Sequence, residues 1–241
     1  MTEVTVLCCY NDVNAFESFK TDLGKQSISI DLIGIDNSNN IYKSCASVFN
    51  QFLKQVNTKY VIFSHQDIHL KSPNDILTFL NYLKRVNVND IVGVAGRRSV
   101  DGQVLTNISH GDKMKKAGNI NAFDLEKCDT VDECFFGGTT ECFKKYPFNE
   151  ELCNDWHLYS VERCLSAISR GNSVYTCNIP LIHYSSGKMN LLYNKQLYNL
   201  CKFYSDKIDY ICTTCASTRT KFPIREINYI IRMISILFGR Y

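Results

Sequence analysis

The sequence is short of the features that mark several classes of protein. Its 241 residues include only four prolines, and its composition is that of an ordinary globular chain. The formal net charge of +3 is too small to indicate nucleic acid as a partner. No apolar stretch reaches the ~20 residues that would span a bilayer. No signal peptide opens the chain, so we expect a cytoplasmic protein, with the inner face of the membrane as its alternative location.

Cysteine, in contrast, is plentiful, with twelve residues. In a cytoplasmic protein we expect them to remain thiols, and most of their spacings are typical of core positions. The only CxxC pair is Cys212 and Cys215, without a second CxxC or CxxH. Because zinc sites usually need four ligands, we favour a structural role for this pair over a metal or redox role.

Strand-like and helix-like segments alternate over the first hundred residues. Strands are predicted at 4–9, 28–40, 60–65 and 90–96, and helical spacing of apolar residues runs from Ile41 to Val56. A further helix is predicted to begin with Ser72 as its N-cap. This alternation predicts an α/β fold with a largely parallel central sheet flanked by helices. The second half is less regular, with a long loop or hairpin expected at 97–125 and a strand at 129–138.

Polar residues follow three of the predicted strands: Tyr10 after the first, Asp36 after the second and His65-Gln66-Asp67 after the third. In parallel α/β sheets, ligands bind outside the carboxyl ends of the strands, so these residues are expected to line one crevice. No GxGxxG or GxxxxGK[ST] loop is present, and a nucleotide bound here would need a divalent ion as counter-charge. The spacing alone leaves an alternative, a strand-end turn whose polar groups face water.

Taken in order, these segments resemble family 2-type glycosyltransferases of the GT-A fold, a Rossmann-like fold that binds nucleotide-diphospho-sugars. The resemblance lies in YND, IDNS, CASVFNQFLKQ and KYVIFSHQD, and in the later segment 131–187, and it extends over about residues 4–205. It implies a metal-dependent, inverting transfer of a sugar, as in polysaccharide biosynthesis. The implied donor is a nucleotide-diphosphate sugar, most often a UDP-sugar, and the implied acceptor is a saccharide or a lipid-linked hydroxyl.

The resemblance implies a metal site at a DxD-type motif, from which this chain departs. His65 and Asp67 occupy the first and last positions of the motif, and His183 matches a histidine that completes the coordination. Imidazole is a softer ligand than carboxylate, which favours Mn²⁺ over Mg²⁺. A histidine that follows an apolar strand, as His183 does, is also common as a satisfied core residue, and this alternative stays open.

Asp155 matches the position of the general base that takes the proton of the acceptor hydroxyl. Its alternative is a role at a helix N-terminus, and we expect Asn154 to cap that helix while Asp155 faces the crevice. Trp156, beside it, is a plausible platform for an acceptor sugar. The residues expected to bind the donor are Tyr10, Asp36, Asn50, Gln66, Asp132 and Lys188. The resemblance places Asp132 near either the donor sugar or the acceptor. For Asp36 an Asx turn is the alternative, and for Asn50 a structural role.

The C-terminal segment is predicted to be distinct from the catalytic domain, which we assign to residues 1–216. Residues 217–241 form an amphipathic helical tail with isoleucines on one face and most charged residues elsewhere. The helix either packs on the domain or lies in a membrane interface, its arginines near anionic headgroups.

Two other functions compete with the leading one. A catalytically inactive sugar-nucleotide-binding or scaffold module is favoured by the departure from DxD. A nucleotidyltransferase ranks last, because the segment after the first strand has neither glycine nor a basic residue.

Overall fold

The computed structural model describes residues 2–185 and 189–239, in which helices lie on both sides of a central sheet. The helices are α1 (Val13–Gly24), α2 (Cys45–Leu53), α3 (Asp75–Leu83), α4 (Thr140–Lys145), α5 (Tyr159–Ile168), α6 (Leu191–Tyr204) and α7 (Ile224–Leu237). The strands are β1 (Val4–Tyr10), β2 (Asp31–Asp36), β3 (Tyr60–Ser64), β4 (Ile68–Leu70), β5 (Ile91–Gly93), β6 (Ala95–Arg97), β7 (Val104–Thr106), β8 (Ser109–His110), β9 (Lys115–Lys116), β10 (Leu125–Cys128), β11 (Thr130–Val131), β12 (Phe135–Thr139), β13 (Val174–Cys177), β14 (Leu181–His183), β15 (Tyr210–Cys212) and β16 (Ser217–Arg219).

The central sheet has seven strands in the order β10-β13-β5-β12-β3-β1-β2. β1 pairs in parallel with β2 and β3, and β13 pairs in parallel with β5. β12 lies antiparallel between β3 and β5, and β10 is antiparallel to β13. β1, β2, β3, β5 and β13 therefore run in one direction, which confirms the predicted α/β fold with a largely parallel sheet.

Apolar side chains cover both faces of this sheet. On one face, α1 and α3 contribute the fully buried Phe19 and Phe79. On the other face, α2 and α4 contribute Phe49 and Phe143, which pack on Phe63 of β3. Because β3 has helices on both sides, all five of its residues are buried, as its continuous apolar run predicts.

The predicted limits of the second helix are wrong at both ends. Ile41 precedes α2 and is 68% exposed, so it does not belong to the buried helical face. The helix begins instead after Ser44, whose hydroxyl accepts the Ser47 N–H, and it ends at Leu53. Val56 is buried beyond that end, so its match to the helical spacing reflects core packing rather than helix.

Two predicted helix caps are also wrong. Ser72 does not cap α3, because the N-cap position is Asn74, and the Ser72 hydroxyl accepts the Asn74 N–H at 3.2 Å, outside the helix. Asp75 in the first turn accepts the backbone N–H groups of Lys71 and Ser72, at 2.7 and 2.8 Å. Asn154 does not cap α5, which begins four residues later than its position suggests, after Leu158. Leu158 has a left-handed backbone, with φ of 63°, and provides no side-chain cap.

The two strands predicted at 90–96 and 129–138 are each broken in the middle. The first splits at Val94 into β5 and β6, and the second splits at residues 132–134 into β11 and β12. β6 and β11 join β7 in a three-stranded sheet, while β5 and β12 stay in the central one. Residues 97–125 hold β7, β8 and β9, and the last two form a hairpin. The broken segments carry the chain out of the central sheet beside the carboxyl end of β3.

A second small sheet has the order β4-β14-β8-β9. In it, β14 pairs antiparallel with β4, which follows β3 directly, and parallel with β8. This pairing places His183 beside Ile68 and His110. It therefore brings the end of β14 to the polar residues that follow β3.

The C-terminal helix α7 packs on the protein through its more polar side. Arg232 is buried, and its guanidinium donates to Asn194 Oδ1 at 2.9 Å and to the Ser217 carbonyl at 3.3 Å. The outer face of α7 exposes only apolar side chains, each between 42% and 77% exposed: Ile224, Ile227, Ile230, Ile231, Ile234, Leu237 and Phe238. Arg232 thus points away from the face on which headgroup contacts were expected. The predicted boundary after Ala216 falls within the β15–β16 hairpin, whose strands are paired to each other.

All twelve cysteines are unpaired, and nine are buried, which agrees with the expected core-filling role. Cys212 is buried and its thiol donates to the Arg97 carbonyl, whereas Cys215 is exposed. Among residues 2–185 and 189–239, no helix combines the length and apolar character needed to cross a bilayer.

Candidate active site

The carboxyl ends of β1 and β3 open into a cavity of about 350 Å³, which we call the strand-end cavity. Tyr10 at the end of β1 lines it, with its ring stacked on Phe16 at 4.0 Å between centroids. His65, Gln66 and Asp67 line it from the end of β3. These four predicted residues are therefore brought together.

Gln66 ties two strand ends to each other. Its side-chain oxygen accepts the backbone N–H groups of Asn11 and Asp12 at 2.8 and 2.9 Å, and its amide donates to Asn11 Oδ1 at 2.8 Å. Gln66 thus holds the loop that follows β1 in place. Its predicted contact with a donor is compatible with this position but is not needed to explain it.

A cluster with metal-ligating chemistry lies at this edge. His65, Asp67 and His183 each offer one ligand atom, and these atoms lie within 4.8 Å of one another. His183 Nε2 is 3.4 Å from Asp67 Oδ1, and the rings of His65 and His183 are 5.6 Å apart. The backbone N–H of Ser185 donates to Asp67 Oδ2 at 3.1 Å, which fixes the carboxylate. The antiparallel pairing of β4 with β14 produces this convergence.

Burial and the pairing of Asp67 with His183 set the electrostatics of the cluster. Burial, together with His183, lowers the pKa of His65 to about 4, so its imidazole is neutral at neutral pH. Burial raises the pKa of Asp67, but its hydrogen bond and ion pair with His183 outweigh burial and hold the pKa below its ordinary value. For His183, burial lowers the pKa, but Asp67 outweighs it and the pKa is raised. Two imidazoles and one carboxylate fit a divalent transition-metal ion and leave positions for further oxygen ligands.

A second cavity of about 530 Å³, the hairpin-side cavity, lies on the other side of this cluster. Its walls include Ile108 and His110 near the β8–β9 hairpin, and Thr214 from the β15–β16 hairpin. The two cavities share four lining residues: His65, Glu133, His157 and Ser185. The metal-ligating cluster therefore lies at the junction of two spaces that are each large enough for a substrate group.

Asp132 lies in the hairpin-side cavity and not in the strand-end cavity. Its carboxylate accepts from Thr214 Oγ1 at 2.6 Å and from the Cys134 N–H at 3.1 Å. Burial raises the pKa of Asp132, but these hydrogen bonds and the nearby His183 and His65 outweigh it and lower the pKa. A predicted donor contact at Asp132 is therefore possible only from the second cavity.

Two predicted donor-binding residues, Asp36 and Asn50, are not brought to these cavities. Asp36 is exposed and lines neither of them, and its carboxylate accepts the Ser38 N–H at 2.8 Å, which is the Asx turn considered as its alternative. Asn50 bonds the backbone of Phe148 through both ends of its amide, at 2.9 Å each, which supports its structural alternative. Lys188 lies outside the described residues.

Asp155, the predicted base, is half-buried and lines neither cavity. Its backbone carbonyl accepts the Cys45 N–H at 3.3 Å, which anchors the segment before α5 to α2. Trp156 lines the strand-end cavity and not the hairpin-side cavity.

Glu133, His157 and His110 line the cavities and were missed by the sequence reasoning. Glu133 follows Asp132 directly, and two consecutive carboxylates that interrupt an apolar strand are a signal that could have found it. His157 follows Trp156 and could have been found from the same motif. His110 lies in the irregular part of the chain, where no periodic pattern marks it.

Comparison with solved structures finds proteins of the same fold. S. aureus TarS (residues 1–349, in complex with UDP-GlcNAc) is 9% identical, with a TM-score of 0.60 over 99% of this chain and 73% of that one. A mannosyltransferase from Pyrobaculum calidifontis, in complex with GDP-Man and Mn²⁺, is 9% identical, with a TM-score of 0.58 over 85% and 63%. GalNAc-T7 with UDP, GalNAc and Mn²⁺ is 8% identical, with a TM-score of 0.59 over 86% and 49%.

These identities are low, and the likeness shows the fold alone, which confirms the predicted GT-A fold. A search of curated proteins finds no significant match. A comparison with family profiles matches residues 5–199, well over half of the chain, to the glycosyltransferase-like family. The chain therefore belongs to this glycosyltransferase family.

Proposed function

We propose that this glycosyltransferase moves a sugar from a nucleotide-diphosphate donor to a hydroxyl of a saccharide or lipid-linked acceptor, with inversion and with the help of a divalent metal. One observation carries the proposal. The cluster of His65, Asp67 and His183 lies where two cavities meet, so that a donor in one and an acceptor in the other would react beside it.

The strand-end cavity is the proposed donor site. Tyr10 and Asn11 line it at the end of β1, where a nucleoside would lie in an α/β sheet. The lining residues of both cavities, within the described ranges, include neither lysine nor arginine. A donor diphosphate would therefore depend on another positive charge. The similar structures hold UDP-GlcNAc, GDP-Man and UDP, and we favour a UDP-sugar.

We propose that His65, Asp67 and His183 hold this positive charge as a divalent ion. Neutral imidazole nitrogens favour Mn²⁺ over Mg²⁺, since Mg²⁺ prefers an all-oxygen shell. The ion would stabilise the negative charge that develops on the leaving diphosphate. Ser185, which donates its N–H to Asp67, keeps the carboxylate in a ligating orientation.

In an inverting transfer, the acceptor hydroxyl attacks the anomeric carbon from the side opposite the diphosphate. A carboxylate has to take the proton of that hydroxyl. Asp155 is the residue that the sequence predicts for this step. Glu133 is a second candidate, because it lies in the wall between the cavities. Amide substitution at each position decides between them.

The test of the proposal is binding of UDP by calorimetry, with and without Mn²⁺. We expect Mn²⁺-dependent binding, which His183→Ala and Asp67→Ala abolish. The chain offers a matched control in His69, whose Nδ1 lies 3.0 Å from Asp22 Oδ2 in a similar histidine–aspartate pair outside both cavities. His69→Ala should leave UDP binding intact. Equal UDP binding in the chelated and the Mn²⁺-loaded protein would reject the metal site.

The alternative is a module that binds the sugar nucleotide without turnover. A panel of UDP- and GDP-sugars, followed by release of the free nucleoside diphosphate, separates the two functions. An enzyme releases it with at least one donor, and faster with Mn²⁺ than after chelation. Donor binding without any release across the panel would favour the module.

We further propose that α7 attaches the enzyme to the inner face of the membrane, where lipid-linked acceptors of polysaccharide biosynthesis are found. The support is the outer face of α7, on which Ile230, Ile231 and Ile234 are about half exposed while Arg232 is directed into the protein. A helix of this kind lies in the interface with its apolar face among acyl chains.

A further inference from the structure

Glu133 has a position that no other described carboxylate shares. Within residues 2–185 and 189–239, it is the only acidic residue that lines both cavities, because Asp67 lines the strand-end cavity alone and Asp132 the hairpin-side cavity alone. It lies in the short segment between β11 and β12, where the chain passes from the three-stranded sheet to the central sheet. A group at this point borders both of the spaces in which the reacting groups are proposed to lie.

One oxygen of the Glu133 carboxylate is held by a hydrogen bond, and the other is available to a substrate. Oε1 accepts the backbone N–H of Leu158, the residue with left-handed φ before α5. Oε2 has no hydrogen-bond partner in the part of the chain that the structure describes. The Tyr159 hydroxyl donates to the backbone carbonyl of Glu133 at 3.4 Å and holds the same segment. A base with one oxygen held and the other available is oriented before substrate arrives.

The neighbouring carboxylates are less suited to this step. Both oxygens of Asp132 already accept hydrogen bonds, from Cys134 and Thr214. Asp155 lines neither cavity. Burial, with the charge of Asp132, raises the pKa of Glu133 well above its ordinary value, because the charged carboxylate is poorly solvated there.

We infer that Glu133 is the general base of the proposed transfer and that the acceptor approaches through the hairpin-side cavity. This inference rests on the proposed function. The acceptor oxygen forms its bond to the anomeric carbon while the bond from that carbon to the diphosphate oxygen breaks. The electron pair of the broken bond leaves with the nucleoside diphosphate, and the proton of the hydroxyl passes to Glu133 Oε2.

The test compares Glu133→Gln with wild type in UDP affinity and in release of UDP from the most active UDP-sugar, with water or an added saccharide as acceptor. Glutamine keeps an oxygen for the Leu158 N–H, so the segment before α5 stays in place, but it accepts no proton. We expect unchanged UDP affinity and KM, and a kcat that falls by about 10²-fold or more, which is the usual scale of base catalysis. Glu151→Gln, the same change at an exposed carboxylate, is the matched control for substitution itself.

Three other outcomes would overturn the inference. Glu133→Gln with wild-type kcat removes the residue from the chemistry. Asp155→Asn with a large loss of kcat, beside an active Glu133→Gln, assigns the base to Asp155. A Glu133→Gln variant that loses UDP affinity and kcat together, with Glu133→Ala behaving identically, makes Glu133 a positioning residue for the loop. Failure of the proposed function is recognised separately, as wild-type protein that does not bind UDP in the presence of Mn²⁺.

Discussion

Replacing two isoleucines on the outer face of α7 should detach the protein from membranes without unfolding it. Ile231 and Ile234 are 55% and 46% exposed, so about half of each side chain is available for transfer to an apolar environment. Full burial of such a side chain is worth about 1.5–3 kcal/mol, and half of it therefore about 1 kcal/mol. Ile231→Ser with Ile234→Ser should weaken vesicle binding by about 2 kcal/mol, which corresponds to about 30-fold in partition coefficient.

The assay is sedimentation with vesicles of mixed anionic and neutral phospholipid. Because Arg232 is bonded to Asn194 and Arg225 to Glu226, we expect only a weak loss of binding as salt is added. The control is Val88→Ser with Val100→Ser, which removes two exposed apolar side chains, at 63% and 88% exposure, away from α7. This control should bind like wild type.

Two results would refute the reasoning. Wild-type protein that stays in the supernatant at low salt excludes the membrane proposal. Equal loss of binding in the α7 variant and in the control would mean that general surface hydrophobicity, not this face, causes attachment. A wild-type dimer in sedimentation velocity that the α7 variant dissociates, without vesicle binding, would assign the face to a second copy of the chain.

Three further predictions concern side chains around the site and the core. Gln66→Ala removes three hydrogen bonds that hold the loop after β1, so the free energy of unfolding in urea should fall by about 2 kcal/mol and UDP binding should weaken. If Gln66 only contacted the donor, UDP binding alone would change. Asn50→Ala removes the hydrogen bonds to the Phe148 backbone and should lower the free energy of unfolding by about 1–3 kcal/mol, while the UDP affinity measured by calorimetry stays unchanged. A loss of UDP affinity would instead assign Asn50 to the donor site. Burial raises the pKa of Glu162, whose side chain accepts from the Tyr204 hydroxyl at 2.7 Å. The Glu162 carboxyl group therefore holds its own proton more tightly in the native state than in the unfolded state. Stability should therefore fall as pH rises from about 4.3 through the raised pKa, and Glu162→Gln should flatten that part of the thermal-denaturation profile; an unchanged profile would contradict it.

Local patterns predicted the first half of the fold because its strands and helices are complete local units. β3 is a continuous buried run, and the strands β1, β2 and β3 alternate with the helices α1 and α2 along the chain. The break at Val94 could not be predicted in this way, since the apolar pattern continues through it. At residues 132–134 two carboxylates interrupt the pattern, but they do not by themselves indicate that the chain changes sheet. The cause of both breaks is long-range, because β6 pairs with β7 on one side and with β11 on the other.

The site residues, too, were predictable where a local pattern marks them and not where long-range pairing places them. Asp67 and His65 were found because they end a strong strand, and the resemblance added His183, which lies more than a hundred residues further along the chain. The pairing of β4 with β14 brings these residues together, and no local signal encodes that pairing. Glu133 was missed because the resemblance marked Asp132 alone, although the pair of carboxylates interrupts the strand as a unit. Only the path of the chain between two sheets directs one of them into both cavities.

The four lining residues that the two cavities share would also couple the occupancies of the cavities, wherever a ligand on one side moves these residues. A molecule that displaces His65, Glu133, His157 or Ser185 from one side alters the volume open on the other side at the same moment. By thermodynamic linkage, the two ligands then change each other's affinity by the same factor. Substrates measured singly would therefore give dissociation constants that differ from those of the ternary complex, and the size of that difference would report how far these residues move.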